Sequence, residues 1–155
     1  MRVLLTGPFG TIGTRVLNEL LSRGHSVSCF DLDTKLNRKI AKRYNGRITM
    51  LWGDITDAIC VNAAINKQDA VIHLAAIIPM LSETNPTLAE KVNVQGTQIV
   101  IDAIAAQTTP PLMVFPSSIS VHGFSNTRIP PCKIDEPMHA QDNYAGHKIE
   151  CEKRL

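Results

Sequence analysis

The sequence lacks an excess of charge of either sign. Its 155 residues include 16 lysines and arginines against 14 aspartates and glutamates, which gives a formal net charge of +2. A chain this balanced has no strong attraction toward nucleic acid or a membrane surface, so we expect neither as a partner. The remaining composition, 44% hydrophobic and 19% charged, is that of a folded protein, and the length fits one domain. Disordered, collagen-like and low-complexity classes are excluded.

Long hydrophobic runs are also missing. The longest apolar stretch, residues 70–81, is interrupted by His73 and Pro79 and is too short to span a bilayer. Only a few apolar residues precede Gly7 at the amino terminus, so we expect no signal peptide. Both observations predict a protein that neither crosses nor is exported across a membrane.

Paired cysteines are absent as well. The four cysteines lie far apart in the chain and form no CxxC motif, which argues against a disulfide scaffold or a zinc site. We therefore expect no metal site, reduced thiols and a cytoplasmic location. The residues concerned are Cys29, Cys60, Cys132 and Cys151.

What the sequence does contain is a regular alternation of strand-like and helix-like segments. Short apolar runs without polar alternation suit a parallel sheet that is covered on both faces and joined by right-handed crossovers. We therefore predict one α/β domain over residues 1–155, a doubly wound parallel sheet of five strands. The predicted strands are 2–6, 26–30, 47–52, 70–75 and 112–115, and the predicted helices 11–23, 34–44, 57–67, 86–107 and from about 143 through Leu155. Residues 119–141 are predicted to form a loop.

A glycine-rich turn lies between the first strand and the first helix. Gly7, Gly10 and Gly13 permit a tight turn and a close approach of the backbone to a pyrophosphate. The helix that follows, beginning at Thr11 and Ile12, offers free N–H groups and a positive dipole end to phosphates. The alternative is a turn that binds nothing, but the strand–turn–helix setting favours a dinucleotide site.

An acidic residue, Asp31, ends the second predicted strand. A carboxylate at this place accepts hydrogen bonds from the adenine ribose and repels a 2′-phosphate, which favours NAD over NADP. Lys35 and Arg38 follow closely and keep NADP as the alternative. A strand-end cap is the simpler interpretation of the same aspartate.

Three further side chains form a possible acid–base set. Tyr144 and Lys148 are four residues apart, so they share a face of the last predicted helix. A nearby ammonium would lower the pKa of the tyrosine, as a general acid or base requires. Ser118 follows the fifth strand, at the sheet edge where such folds bind ligands. Each signal alone is weak, because tyrosine–lysine pairs and capping serines are common.

Taken in order, these and other motifs resemble the extended short-chain dehydrogenase/reductase family, in particular its NAD-dependent epimerase/dehydratase group. The similarity extends over essentially the whole chain. The motifs are the glycine turn at 7–13, Asp31, GDITD at 53–57, HLAA at 73–76, NVQGT at 93–97, SSISVHG at 117–123 and YAGHK at 144–148.

The resemblance implies roles for several residues. Tyr144 matches the acid–base position, Ser118 the residue that orients the substrate oxygen, and Lys148 the residue that tunes the tyrosine and holds the nicotinamide ribose. The implied reaction is hydride transfer to or from a hydroxyl-bearing small molecule, with nucleotide sugars the commonest family substrates. By the same resemblance, Asp54 and Ile55 contact adenine, and Leu74, Ala75 and Ala76 form a wall along the cofactor. NAD and a homodimer are implied in the same way.

The sequence also departs from the family pattern. Pro8 removes a backbone donor from the glycine turn, while His122 and His147 stand where tyrosine and serine are common. Asn93 matches a position that is usually structural, and His73 is interpreted as a strand-end residue. Family members are roughly twice as long, so we expect a chain truncated after the helix of Tyr144, without the substrate lobe. A non-catalytic dinucleotide-binding module or an inactive fragment is the alternative function.

Overall fold

Five parallel strands form one sheet in the order β3-β2-β1-β4-β5. The computed structural model describes residues 1–123, 131 and 133–155, so the predicted thiol of Cys132 lies outside the described residues. Helices cover the sheet on both faces, and the doubly wound α/β fold predicted from the sequence is confirmed. The strands are β1 Arg2–Thr6, β2 Ser26–Asp31, β3 Thr49–Trp52, β4 Ala70–His73 and β5 Leu112–Val114.

Within the described residues, seven helices connect or follow these strands. They are α1 Thr11–Ser22, α2 Lys35–Ala41, α3 Ala58–Ile65, α4 Leu81–Thr84, α5 Pro86–Glu90, α6 Gly96–Ala105 and α7 Asn143–Glu152. Residues Lys91–Gln95 between α5 and α6 form a π-helical turn, called the π segment below. Short 3₁₀ turns occupy Lys42–Tyr44 and Ile119–His122. None of the helices in the described part of the chain has both the length and the apolar character needed to cross a membrane.

The chain changes direction at β1, and this determines where a ligand can bind. β1 pairs with β2 on one side and with β4 on the other, so crossovers run outward in both directions from it. The two halves of the sheet diverge at the carboxyl end of β1 and leave a crevice there. Open α/β sheets bind ligands at such a switch point.

Two apolar clusters hold the helices against the sheet. Successive strand residues point to opposite faces, so Leu4 packs with Ile65 and Val100 on one face while Leu5 packs with Leu17 on the other. All five side chains are almost completely buried. Burying the sheet on both sides explains why the strands read as short continuous apolar runs.

The helix start predicted at residue 86 is confirmed, with Asn85 as its N-cap. The Asn85 side chain accepts a hydrogen bond from the Leu88 N–H at 3.2 Å, and Pro86 occupies the first helical position. Both residues act as expected, since a side-chain acceptor satisfies a free N–H and proline needs no acceptor in the first turn.

Several predicted boundaries are wrong. The helix predicted over 86–107 is interrupted by the π segment and ends at Ala105, and α4 was not predicted. The last helix was predicted to run through Leu155 but ends at Glu152. The predicted loop 119–141 begins with a 3₁₀ turn. β4 stops at His73 because the N–H groups of Leu74 and Ala75 turn onto the Thr6 hydroxyl, each at 3.1 Å.

Candidate functional site

The glycine turn is packed so closely that two of its glycines admit no side chain. Gly7 has a φ of +64°, and a Cβ on it would lie 2.9 Å from the Ala75 nitrogen. A Cβ on Gly13 would lie 2.1 Å from the carbonyl oxygen of Gly7. The turn therefore brings β1, the start of α1 and the segment after β4 into direct backbone contact, as the glycine pattern predicts.

The amino terminus of α1 has no side-chain cap. Gly10 occupies the N-cap position, and the N–H groups of Thr11, Ile12 and Gly13 have no acceptor within the helix. Side-chain oxygens cap α2, α3, α5 and α7. The exposed first turn of α1 thus offers N–H groups and the positive end of the helix dipole to an anion.

Asp31 lies at the carboxyl end of β2 and is already hydrogen-bonded. Its carboxylate accepts from the Leu32 N–H at 2.9 Å, from the Asn37 amide at 3.1 Å and from the backbone of Phe9. Burial raises the pKa of this carboxyl group, and the hydrogen bonds partly oppose that shift. A carboxylate has about four acceptor positions, so one remains for a further donor.

The two basic residues near Asp31 point elsewhere. Arg38 forms an ion pair with Asp33, with 2.6 Å between Nη2 and Oδ2, and its guanidinium lies 5.6 Å from the centre of the Trp52 ring. Lys35 and Arg38 line a hollow between α2 and β3 together with Trp52. Neither lies on the cleft that Asp31 faces.

That cleft opens at the switch point and measures about 530 Å³, a size typical of small-molecule sites. Its lining includes Phe9, Asn37 and Ile77, which were not among the predicted cofactor residues. Eight of the predicted cofactor residues also line it, namely Gly7, Gly10, Asp31, Asp54, Ile55, Leu74, Ala75 and Ala76.

The other predicted site residues do not line the cleft. Thr11, Ile12 and Gly13 belong to the first turn of α1 beside it, whereas Tyr144 and Lys148 lie on α7. Ser118 lies on a different hollow, which it shares with Phe115, His122 and Glu152 among others. Eight predicted cofactor residues therefore share the cleft, and the three residues of the predicted triad are not among those that line it.

The environment of Lys148 explains why it does not act on Tyr144 as expected. Its Nζ donates to the Pro116 carbonyl at 2.8 Å and lies 4.2 Å from the centre of the Phe115 ring, but 5.7 Å from that of Tyr144. Burial lowers the pKa of Lys148. The pKa of Tyr144 is raised, first by burial and then by Asp142, so the expected lowering is wrong for this arrangement.

Ser118 is engaged locally. Its oxygen accepts hydrogen bonds from the Ser120 N–H at 3.2 Å and from the Ser120 hydroxyl at 2.8 Å, and it caps the 3₁₀ turn Ile119–His122. Its neighbour Ser117 donates to Glu152. The capping role that we considered for these serines is present in the structure.

His73 is a fully buried connector between β1 and the helices. Its Nδ1 lies 2.8 Å from the Thr6 hydroxyl, its Nε2 lies 3.1 Å from the Thr97 hydroxyl, and its ring stacks on Phe115. Burial, with a smaller contribution from Lys148, lowers the pKa of His73 to about 3. The imidazole is neutral at ordinary pH, which fits the structural interpretation of this residue.

Asn93 joins the cleft wall to α7. Its Oδ1 accepts from the Ile77 N–H at 2.7 Å, and its Nδ2 donates to the Ile77 carbonyl at 2.8 Å. The same Nδ2 lies 3.3 Å from Nδ1 of His147, and the Asn93 carbonyl accepts from Cys151 Sγ. The sequence motif alone marked Asn93 as structural without revealing these partners.

The sheet order, the glycine turn and the acid at the end of β2 define a doubly wound α/β domain of the Rossmann type. The family model described as the 3-beta hydroxysteroid dehydrogenase/isomerase family matches residues 4–154. The chain therefore belongs to this family. In the described residues no cluster of histidine, cysteine and acidic side chains suited to a metal ion is present.

Relatives and solved structures agree with this membership. The mouse 3 beta-hydroxysteroid dehydrogenase type 7 is 36% identical over 123 residues, which cover 77% of this chain and 33% of that protein. A short-chain dehydrogenase/reductase superfamily protein from Agrobacterium tumefaciens with bound NAD is 27% identical, with a TM-score of 0.80 over 99% of this chain and 43% of that one.

The UDP-glucose 4-epimerase of Thermus thermophilus in complex with NAD is 26% identical, with a TM-score of 0.87 over 100% of this chain and 50% of that one. The resemblance to the extended short-chain dehydrogenase/reductase family is thus confirmed. The chain spans a third to a half of the length of these relatives, and the remainder of each has no counterpart in the 155 residues.

Proposed function

We propose that residues 1–155 form the NAD-binding part of an oxidoreductase or epimerase that acts on a hydroxyl-bearing small molecule. The observation that carries this proposal is the cleft at the switch point, where the glycine turn, the uncapped first turn of α1 and the partly buried Asp31 come together. Both solved neighbours named above hold NAD. The activity of the whole protein, and the choice between epimerase, dehydratase and dehydrogenase, belong to the same proposal.

The residues present fit a dinucleotide. Gly7 and Gly13 admit no Cβ, which allows the tight turn that a phosphate site needs, and the free N–H groups of Thr11 and Ile12 suit a pyrophosphate. Asp31 keeps one acceptor position for a ribose hydroxyl. Arg38 is occupied by Asp33 and lies away from the cleft, which supports NAD over NADP.

The chain supplies a candidate acid–base group in Tyr144 of α7. NAD, when bound, supplies a hydride acceptor or donor. Tyr144 would take the proton from the substrate hydroxyl, or return it, and Ser118 would orient the substrate oxygen. Because the phenol is half-buried with a raised pKa, it is protonated at neutral pH and suited to donate. To act as a base it needs the Lys148 ammonium within about 4–6 Å of its oxygen.

Binding of NAD to this chain is the first test. A ligand specific for the folded state at 100 times its Kd adds about 2.7 kcal/mol to the free energy of unfolding, which raises the Tm of a chain this long by about 5–10 °C. We expect this shift with NAD and a smaller one with NADP at equal concentration. No shift with millimolar NAD would refute cofactor binding by these residues.

The variant Asp31→Asn tests whether NAD binds in the cleft. Losing a charge-assisted hydrogen bond to the ribose should weaken NAD binding about tenfold or more. The matched control is Asp69→Asn, because Asp69 pairs with Arg2 at the opposite end of the sheet. An equal loss in both variants would show that the effect is global and not local.

A second candidate function is a dinucleotide-binding module without catalysis. The favouring observations are that Ser118 is bonded to Ser120 and that Nζ of Lys148 is bonded to Pro116, so both groups have hydrogen-bond partners other than Tyr144. Turnover separates the two candidates, with net NADH formation indicating a dehydrogenase and substrate interconversion without it an epimerase. Tyr144→Phe should abolish either reaction while NAD binding persists, and absence of turnover with every hydroxylated substrate tried would favour the module.

A further inference from the structure

The amide of Asn93 has only one possible orientation. Its oxygen accepts from the Ile77 N–H at 2.7 Å, and its nitrogen donates to the Ile77 carbonyl at 2.8 Å. Rotating the amide by half a turn would place two donors face to face on one side and two acceptors on the other. Asn93 is almost completely buried, so water does not replace either bond.

This orientation determines the tautomer of His147. The second N–H of the Asn93 amide points toward Nδ1 of His147, 3.3 Å away. A donor on one side requires an acceptor on the other, so Nδ1 is unprotonated and the proton of the neutral ring resides on Nε2. A doubly protonated ring would present two donors and lose the bond.

The connected residues belong to three different elements. Asn93 lies on the π segment, Ile77 follows the cleft wall formed by residues 74–76, and His147 lies on α7 between Tyr144 and Lys148. π turns within helices are frequent at functional sites. Here the wider turn carries Asn93, whose side chain contacts both Ile77, next to the cleft wall, and the helix of the proposed acid–base pair.

We infer that His147 is a positioning residue: through Asn93, its neutral imidazole fixes the Ile77 peptide at the edge of the cleft relative to α7. Its link to catalysis rests on the proposed function, whereas the contact itself does not. Loss of the acceptor at Nδ1 releases one of the three bonds of the Asn93 amide and loosens its hold on Ile77. The position of the cleft wall thus depends on the protonation of His147.

The groups around His147 act in opposite directions on its charge. Partial burial lowers the pKa of His147, while Glu83 of α4, Glu90 of α5 and Asp142 at the start of α7 raise it, with burial dominant. Glu83 is itself held by the Asn143 backbone and side chain. The remaining charged residue of the facing π segment, Lys91, is exposed. The neutral ring is therefore the form present at pH 7.

The tautomer is tested directly on the 155-residue chain. Long-range ¹H–¹⁵N correlation spectra of uniformly labelled protein at pH 7 distinguish a bare Nδ1 from a protonated one. We expect His147 with a bare Nδ1 and a proton on Nε2. A protonated Nδ1 at pH 7 would overturn the inference, because no acceptor would then face the Asn93 amide.

Hydrogen exchange at the Ile77 amide tests the positioning role. We expect His147→Ala to speed this exchange about fivefold, the effect of one ordinary hydrogen bond. His147→Asn should restore protection, because an asparagine oxygen takes the place of Nδ1. The matched control is His139→Ala, a histidine with an exposed side chain. Unchanged exchange in His147→Ala, or equal acceleration in the Ala and Asn variants, would overturn the inference.

Two further measurements complete the test: exchange of the Ile77 amide at falling pH, and binding of NAD. In the wild type the Ile77 amide should lose protection as the pH falls through the pKa of His147, and in His147→Asn it should not. Equal protection of the Ile77 amide in the wild type and in His147→Asn throughout this pH range would overturn the inference. If NAD fails to bind the wild type, the proposed function fails, while the tautomer and exchange measurements still decide on His147.

Discussion

Acidification should destabilise the protein mainly through one buried side chain, His73. The ring lies between the Thr6 and Thr97 hydroxyls and stacks on Phe115, and only 1% of the residue's surface is exposed. Burial lowers its pKa to about 3, whereas an unfolded histidine has a pKa of about 6.5. Between these values the unfolded chain binds a proton that the folded chain does not.

The size of the effect follows from linkage. Because the unfolded state binds more protons, the free energy of unfolding falls as the pH drops below about 6.5, and the loss continues down to the folded pKa of about 3. For His73 alone this amounts to about 2 kcal/mol at pH 5 and about 3 kcal/mol at pH 4. That is a sizeable part of the 5–15 kcal/mol typical of folded domains, about a quarter at mid-range.

Urea unfolding at pH 7, 6 and 5 measures this contribution. His73→Gln keeps an uncharged polar group at the position but cannot gain a proton, so the gap in unfolding free energy between wild type and variant should narrow by about 2 kcal/mol from pH 7 to pH 5. His139→Gln, which removes an exposed imidazole, should lose as much unfolding free energy on acidification as the wild type does. A gap that stays constant with pH would refute the assignment of a strongly lowered pKa to His73.

Three further outcomes follow from single contacts. Gly13→Ala should lower the free energy of unfolding by at least about 2 kcal/mol in urea titrations, because its Cβ would lie 2.1 Å from the Gly7 carbonyl oxygen; stability equal to wild type would contradict the observed packing. Asn85→Ala should cost about 1 kcal/mol by thermal unfolding through loss of the α5 cap, and no loss would show that the cap is not needed. Burial raises the pKa of Cys29 to about 12, so this thiol should resist alkylation in the folded state while the less buried Cys60 reacts first; the reverse order would contradict the assignment.

The fold could be predicted from the sequence because its signals are local. Apolar runs, the glycine turn and the proline at the start of α5 each depend on neighbours within a few residues, and parallel strands with right-handed crossovers follow from the alternation of strands and helices. The boundaries that were wrong depend on distant partners. β4 ends where Thr6, far away in the sequence, accepts the next two N–H groups, and the π segment has no signature in a pattern of 3.6 residues.

The candidate site divides in the same way. The cofactor residues lie on turns at the ends of strands, so backbone geometry places them together once the sheet is formed. The sequence could not decide whether Arg38 faces the cofactor, because only the structure shows its ion pair with Asp33 and its position over the Trp52 ring. The predicted lowering of the Tyr144 pKa by Lys148 was wrong, because helical spacing cannot reveal that Lys148 donates to the Pro116 carbonyl.

The difference between the predicted cofactor residues, eight of which share the cleft, and the residues of α7, which do not line it, has a physical origin in how α7 is held. α1, α3 and α6 pack onto the sheet through leucine, isoleucine and valine side chains, whereas α7 buries only Ala145, Lys148 and Cys151. It is also held by polar contacts, among them those of Asn143 with Glu83 and of His147 with Asn93. Apolar packing is non-directional, whereas a hydrogen bond requires a defined distance and angle. The position of α7, and with it that of Tyr144, therefore depends on these polar contacts, and protonation of His147 would remove the contact that it makes with Asn93.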